Sequence, residues 1–121
     1  MKVAVVSEDF HTLCGPAGKA RRFLLFEAET GRRPQLERYL ELPVNCPTYH
    51  DLHEDEAFFH PIDGMALITA EAGEGFRERL ARRGTQVHIT TEKDPHTAVS
   101  LFLEGRLPQK APSAPHASQC A

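Results

Sequence analysis

The sequence lacks several features that mark common classes of protein. It has no tryptophan and only two tyrosines, and aromatic residues are 7% of its 121 residues. No apolar run approaches the roughly 20 residues that a membrane-spanning helix needs. The 14 basic and 17 acidic residues leave a net charge of -3, which provides no general attraction to nucleic acid or to an anionic membrane. We therefore expect a protein that binds neither nucleic acid nor membranes.

Cysteine is also scarce. The three cysteines, Cys14, Cys46 and Cys120, are odd in number and widely spaced, which argues against a disulfide framework. The first nine residues contain one lysine followed closely by acidic residues, so they do not resemble a secretory signal. A reducing, cytoplasmic location is the expectation that follows.

The length and the composition predict one domain followed by a tail. Apolar residues make up 40% of the chain and charged residues 26%, which is the ordinary range for a folded domain. From residue 107 onward, prolines stand among alanine, serine and glutamine without any periodic apolar pattern. We predict a folded domain over residues 1–106 and a disordered tail over residues 107–121.

The spacing of apolar residues predicts five strands and three helices in the order β-β-β-α-β-α-β-α. The predicted strands cover residues 1–7, 22–29, 36–42, 65–70 and 86–90. Two predicted helices cover residues 50–59 and 76–83, and the third begins after Asp94 and Pro95. This order is typical of an α/β fold with a mixed five-stranded sheet. If the first and fourth strands are neighbours, three loops meet at their carboxyl ends: residues 8–19, 71–75 and 91–94.

Four short segments on or near these loops resemble one family. They are the segment from Cys14 to Glu27, His60-Pro-Ile-Asp-Gly64, Gly73-Glu-Gly-Phe76 and Glu92-Lys-Asp-Pro95. In this order they resemble the dinitrogenase iron-molybdenum cofactor biosynthesis family, over about residues 1–107. The resemblance implies a ribonuclease-H-like three-layer sandwich. It also implies a role in nitrogen fixation: cytoplasmic binding and carriage of the iron-molybdenum cofactor of nitrogenase, or of its iron-sulfur precursor, without catalysis.

The implied partners are other nitrogenase cofactor assembly proteins or apo-dinitrogenase. The family usually carries a cluster-binding histidine where this chain has Pro16, and proline cannot bind a metal. Cys14 lies two residues earlier, and a thiolate is a strong ligand for iron. Either Cys14 replaces the histidine, with its pKa lowered by Lys19 or Arg21, or the protein has lost the cofactor and kept the fold.

Further candidate residues surround this loop. His11 and His53 are candidate imidazole ligands. His50 and His53 are spaced to share a metal if the segment is helical, although a solvated helix face is the simpler explanation of this pair. Candidate cofactor contacts come from the loop glycines, from two basic residues that would balance cluster charge, and from a turn whose backbone N–H groups could hold an anion. These contacts are Gly15, Gly18, Lys19, Arg21, Gly73, Glu74 and Gly75.

Two alternatives to the carrier stay open. The first is a regulatory module of the same fold that holds no cluster and binds a small anion or a protein. The second is a metal-dependent phosphoester hydrolase that uses Asp9 together with His50 and His53. The oligomeric state is not predicted by any of these patterns.

Overall fold

The computed structural model describes residues 1–52 and 59–112. Its strands are β1 (Lys2–Val6), β2 (Arg22–Glu27), β3 (Gln35–Glu41), β4 (Ala66–Thr69) and β5 (Gln86–Ile89), and its helices are α1 (Tyr49–Leu52), α2 (Glu74–Arg82) and α3 (Pro95–Leu103). The strands form one five-stranded sheet in the order β3-β2-β1-β4-β5. The predicted α/β class and the mixed five-stranded sheet are confirmed.

The sheet contains both antiparallel and parallel strand pairs, and β1 takes part in both kinds. β1 pairs antiparallel with β2 and parallel with β4, and β4 pairs parallel with β5. β1 is apolar along nearly its whole length because helices cover both faces of the sheet, and Val3 to Val6 are fully buried. The predicted pairing of the first and fourth strands is therefore correct, and it places the carboxyl ends of β1, β4 and β5 at one edge.

Alternate residues of each strand enter two separate cores. On one face, Val6, Phe23 and Leu67 pack with Tyr49 of α1 and Leu80 of α2. On the other face, Val5, Phe26 and Ile68 pack with Ala98 and Val99 of α3. The period of two along a strand produces this division, and the result is three layers of helix, sheet and helix.

The helix boundaries differ from the predicted ones. α1 ends at Leu52 in the described part of the chain, and Phe59, the predicted last residue of this helix, lies outside it. Residues 53–58, which include His53, are outside the described residues. α2 begins at Glu74, two residues before the predicted start, because Gly73 is its extended N-cap residue. Asp94 caps α3 as predicted, accepting a hydrogen bond from the Thr97 N–H at 2.9 Å.

The domain continues beyond the predicted boundary at residue 106. Leu107 is 6% exposed and packs in the α3-side core. The Lys110 N–H donates to the Ile89 carbonyl at 2.8 Å, so the chain after α3 returns to the end of β5. One apolar side chain without periodic neighbours in the sequence thus finds a site in the core after the predicted end of the domain. Residues 113–121 lie outside the described residues.

Within the described residues, no helix has the length and apolar character needed to cross a membrane.

Replacing Leu107 tests this boundary. We expect Leu107→Ala to lower the free energy of unfolding by roughly 2–4 kcal/mol, since it removes a buried leucine side chain. Val44→Ala is the matched control, because Val44 is 95% exposed and its loss should change stability little. Urea unfolding of both variants measures the difference, and equal midpoints would contradict the assignment of Leu107 to the core.

Candidate functional site

The three predicted loops meet at the carboxyl edge of the sheet. The segment of residues 8–19, here called the Cys14 loop, is attached to the other two by backbone hydrogen bonds. The Leu13 N–H donates to the Lys93 carbonyl at 2.8 Å, and the Ala17 N–H donates to the Glu71 carbonyl at 3.1 Å. The Cys14 carbonyl accepts from the Ala70 N–H at 3.0 Å. The prediction that these loops converge is confirmed.

Gly15 allows the Cys14 loop to approach the end of β4. A Cβ atom at this position would lie 2.7 Å from the Glu71 backbone nitrogen, which is closer than real Cβ contacts allow. The Thr69 hydroxyl, buried beneath the loop, is 3.2 Å from both the Cys14 and the Glu71 carbonyl oxygens and can donate to either. The loop therefore lies close against the chain at the end of β4, with the Thr69 hydroxyl bonded beneath it.

Cys14 is half-buried, with its sulfur close to the preceding turn. Its Sγ accepts a hydrogen bond from the Glu8 N–H at 3.3 Å. Burial raises the pKa of the Cys14 thiol, and the negative charges of Glu8 and Asp9 raise it further, against the opposing effects of the Glu8 N–H and of Lys93. The expectation that Lys19 or Arg21 lowers this pKa is wrong.

The basic residues around the loop lie in different surroundings. The half-buried Arg21 guanidinium donates to the Pro43 and Cys46 carbonyls, both at 3.0 Å, and so supports the turn that follows β3. Lys19 is exposed on the loop. Lys93 acts electrostatically on Cys14, and the Lys110 ammonium donates to the Ala70 carbonyl at 3.2 Å. Neither lysine is among the predicted site residues, although Lys93 lies on the predicted loop of residues 91–94; only the folded chain brings Lys110 to this edge.

His11 lies on the same loop as Cys14 and is exposed. Its N–H donates to the Asp9 carboxylate at 2.8 Å, and the Thr12 N–H donates to the same oxygen at 2.7 Å. These bonds lower the pKa of Asp9 to about 2. Asp9 therefore shapes the turn, and the described residues contain no group of three His, Cys, Asp or Glu side chains placed to hold a metal ion.

The glycine turn before α2 lies beside the Cys14 loop, as predicted. A Cβ atom on Gly18 would lie 3.7 Å from the Phe76 ring, and Gly73 caps α2 without any side-chain hydrogen bond. Glu74 and Gly75 are exposed at this end of the helix. His50 is exposed, and its N–H donates to the Gly18 carbonyl at 2.7 Å. Gly15, Gly18, Gly73 and Cys14 are thus brought together, whereas the position of His53 is not described.

A buried polar network lies beneath α1. The Asp63 carboxylate accepts from the Tyr49 hydroxyl at 2.6 Å, from Arg83 at 2.8 Å and from the His60 N–H at 2.9 Å. The His60 ring stacks on Tyr49 with 3.9 Å between the ring centroids. His60 and Asp63 belong to the His-Pro-Ile-Asp-Gly segment, whose only signal in the sequence is its resemblance to the family.

Comparison with known proteins identifies the family. Residues 1–105 match the family described as dinitrogenase iron-molybdenum cofactor. The chain belongs to this family. No curated protein matches it significantly.

Solved structures show the same fold for this family member. The crystal structure of PH0822 superposes with a TM-score of 0.64 at 20% identity, covering 91% of this chain and 96% of that one. A candidate dinitrogenase from Methanocaldococcus jannaschii (mj0327) superposes with a TM-score of 0.59 at 15% identity, covering 93% of this chain and 97% of that one. At these identities the similarity establishes the architecture alone.

Two glycine-to-alanine substitutions test the contact at Gly15. We expect Gly15→Ala to lower the free energy of unfolding by roughly 1–3 kcal/mol, because the new methyl group overlaps the Glu71 backbone. Gly75→Ala is the matched control: nothing lies within 4 Å of a Cβ there, and alanine in α2 should add about 0.5 kcal/mol. Chemical unfolding reports both values, and a neutral Gly15→Ala would show that the loop does not rest on β4.

His60 should make stability depend on pH. His60 is 3% exposed, its Nδ1 accepts from the Ile62 N–H, and its buried Nε2 has no hydrogen-bond partner among the described residues. Burial lowers the pKa of His60 to about 4 from 6.5; Asp63 opposes this shift and Arg83 adds to it. The unfolded chain therefore binds more protons between these two pH values, and stability should fall as the pH falls from about 6.5.

The free energy of unfolding is expected to fall by about 2 kcal/mol between pH 7 and pH 5. Urea unfolding at several pH values measures it. His60→Gln should reduce the dependence in this window to the part that His88 contributes, since burial also lowers the pKa of His88, whereas His96→Gln, a change at an exposed histidine, should retain all of it. A wild-type protein equally stable at both pH values would contradict the buried, neutral state of His60.

Proposed function

We propose that this protein carries the iron-molybdenum cofactor of nitrogenase, or its iron-sulfur precursor, and delivers it to another assembly protein or to apo-dinitrogenase. Membership of the family supports the association with this cofactor. The observation that carries the proposal is the half-exposed Cys14 thiol, held on a loop fixed by backbone bonds at the carboxyl edge of the sheet. In this proposal the protein acts in the cytoplasm, has a ribonuclease-H-like sandwich fold and is not an enzyme.

A single thiol with a raised pKa suits a cargo that must be released. At neutral pH the thiol carries its proton, so binding an iron atom requires that proton to leave. The competition between proton and iron for the Cys14 sulfur weakens the iron–thiolate bond and makes the cargo exchangeable. The imidazole of the exposed His11 on the same loop is available as a second ligand, and His53 stays a candidate ligand.

The cations at this edge supply the charge balance that an anionic cargo needs. Lys93 and Lys110 approach the Cys14 loop from the ends of β5 and α3, and Lys19 extends from the loop itself. Arg21 adds positive charge nearby while its guanidinium supports the turn after β3. The N–H groups of the Gly73–Gly75 turn are the proposed contacts for acidic groups of the cargo.

The cluster-free regulatory module is the second candidate. Pro16 stands where the family's usual histidine is expected, and the raised pKa of Cys14 disfavours the thiolate that binds iron. In that case the glycine turn and its neighbouring lysines would bind a small anion.

An anaerobic titration distinguishes these functions. The apo-protein is mixed with isolated iron-molybdenum cofactor or with its precursor, and bound iron is followed by gel filtration and by electron paramagnetic resonance. We expect stoichiometric binding by the wild type and at least tenfold weaker binding by Cys14→Ala, because the thiolate ligand is lost. Cys46→Ala is the matched control, since this second half-buried free cysteine lies outside the loop.

The other outcomes have definite meanings. Equal binding by Cys14→Ala and wild type would keep the carrier and move ligation to His11 or His53. Failure of the wild type to bind either cluster would reject the carrier and leave the cluster-free module.

A further inference from the structure

α1 is attached to the rest of the domain through its first residue. Within the described residues this helix covers Tyr49–Leu52. Tyr49 is 2% exposed, and its ring contacts His60 on one side and the edge of Phe76 at a centroid distance of 5.8 Å.

The hydroxyl of Tyr49 completes a buried ionic site. It donates to Asp63, whose other carboxylate oxygen accepts from Arg83. The side chains of Asp63 and Arg83 are only 15% and 13% exposed, so this carboxylate depends on its protein donors. Removing one donor from a buried carboxylate costs more than removing a hydrogen bond at the surface.

The same tyrosine is connected to the Cys14 loop by two short routes. The next residue, His50, donates its N–H to the Gly18 carbonyl at 2.7 Å. Gly18 also lies against Phe76, the ring that Tyr49 contacts. Backbone bonds to Ala70 and Glu71 fix the loop at Cys14 and Ala17, and α1 adds the bond at Gly18, where the loop turns away from β4.

We propose that Tyr49 is a positioning residue: by fastening α1 to the Asp63–Arg83 pair, it holds the Gly18 part of the Cys14 loop closed and thereby sets how fast the cargo leaves. Local opening of a loop costs less free energy than global unfolding, and the anchors at its ends determine how often it opens. The effect on cargo rests on the proposed function, whereas the effect on the loop does not.

The two tyrosines of the chain provide a matched test. Tyr49→Phe keeps the stacked ring and removes only the hydroxyl that reaches Asp63. Tyr39→Phe makes the same chemical change at a residue that is 58% exposed and stacks on Phe10 through its ring. Amide hydrogen exchange of the full-length protein, followed by NMR, reports opening at the His50 N–H and, as an internal reference, at the Val5 N–H of β1.

We expect exchange at the His50 N–H to become at least about tenfold faster in Tyr49→Phe, with little change at Val5 and none in Tyr39→Phe. Unchanged exchange at His50 would overturn the proposal. Equal acceleration at His50 and Val5 would also overturn it, because Tyr49 would then serve only global stability. If Tyr49→Phe does not fold, Asp63→Asn, which weakens the same anchor, replaces it and is interpreted in the same way.

The rate at which the cargo is released is measured separately. With iron-molybdenum cofactor bound, Tyr49→Phe should release it faster by a similar factor, while the resonance spectrum of the bound cluster keeps the wild-type form because Cys14 is unchanged. Faster opening at His50 with an unchanged release rate would overturn the link between loop and cargo. If the wild type binds no cofactor, the proposed function fails, and the exchange result alone still decides whether Tyr49 positions the loop.

Discussion

The parallel pairing of β1 with β4 is the constraint on which the rest of the structure depends. It directs both strands toward the same edge of the sheet, so the loop that leaves β1 must cross the end of β4. The crossing is made by backbone: the Cys14 carbonyl accepts from Ala70, and Gly15 lies too close to Glu71 for any side chain. A glycine and main-chain bonds therefore attach the loop to β4, and the fully buried side chains of Leu13 and Ala17 anchor it in the two cores.

Attachment through the main chain explains how the fold accommodates Pro16. Proline has no N–H to donate, but the loop is bonded to its neighbours through Leu13, Cys14 and Ala17, so position 16 needs none. A histidine exchanged for proline here changes the chemistry of the loop without removing any of these bonds. Retention of the fold is therefore no evidence that the cofactor is retained, and the ligand chemistry of Cys14 has to be measured directly.

Sequence patterns predict the framework better than the site. Apolar runs are enough to find β1 and β2, and Asp94 with Pro95 marks the start of α3, because these signals depend on near neighbours in the chain. The direction of the Cys14 pKa depends on burial by distant segments, and Lys93 and Lys110 reach the loop only through the ends of β5 and α3. Leu107 escapes prediction for the same reason, since a single apolar residue has no period.

The structure also separates holding the loop from binding the cargo. Asp63 precedes β4 and accepts hydrogen bonds from Tyr49 of α1 and from Arg83 at the end of α2. These bonds attach α1 to the domain. Cys14 and His11, the proposed ligands, take no part in that network. A carrier benefits from such a separation because cargo affinity is then the product of two terms: the strength of a single exchangeable thiolate bond, and the fraction of time the loop is closed.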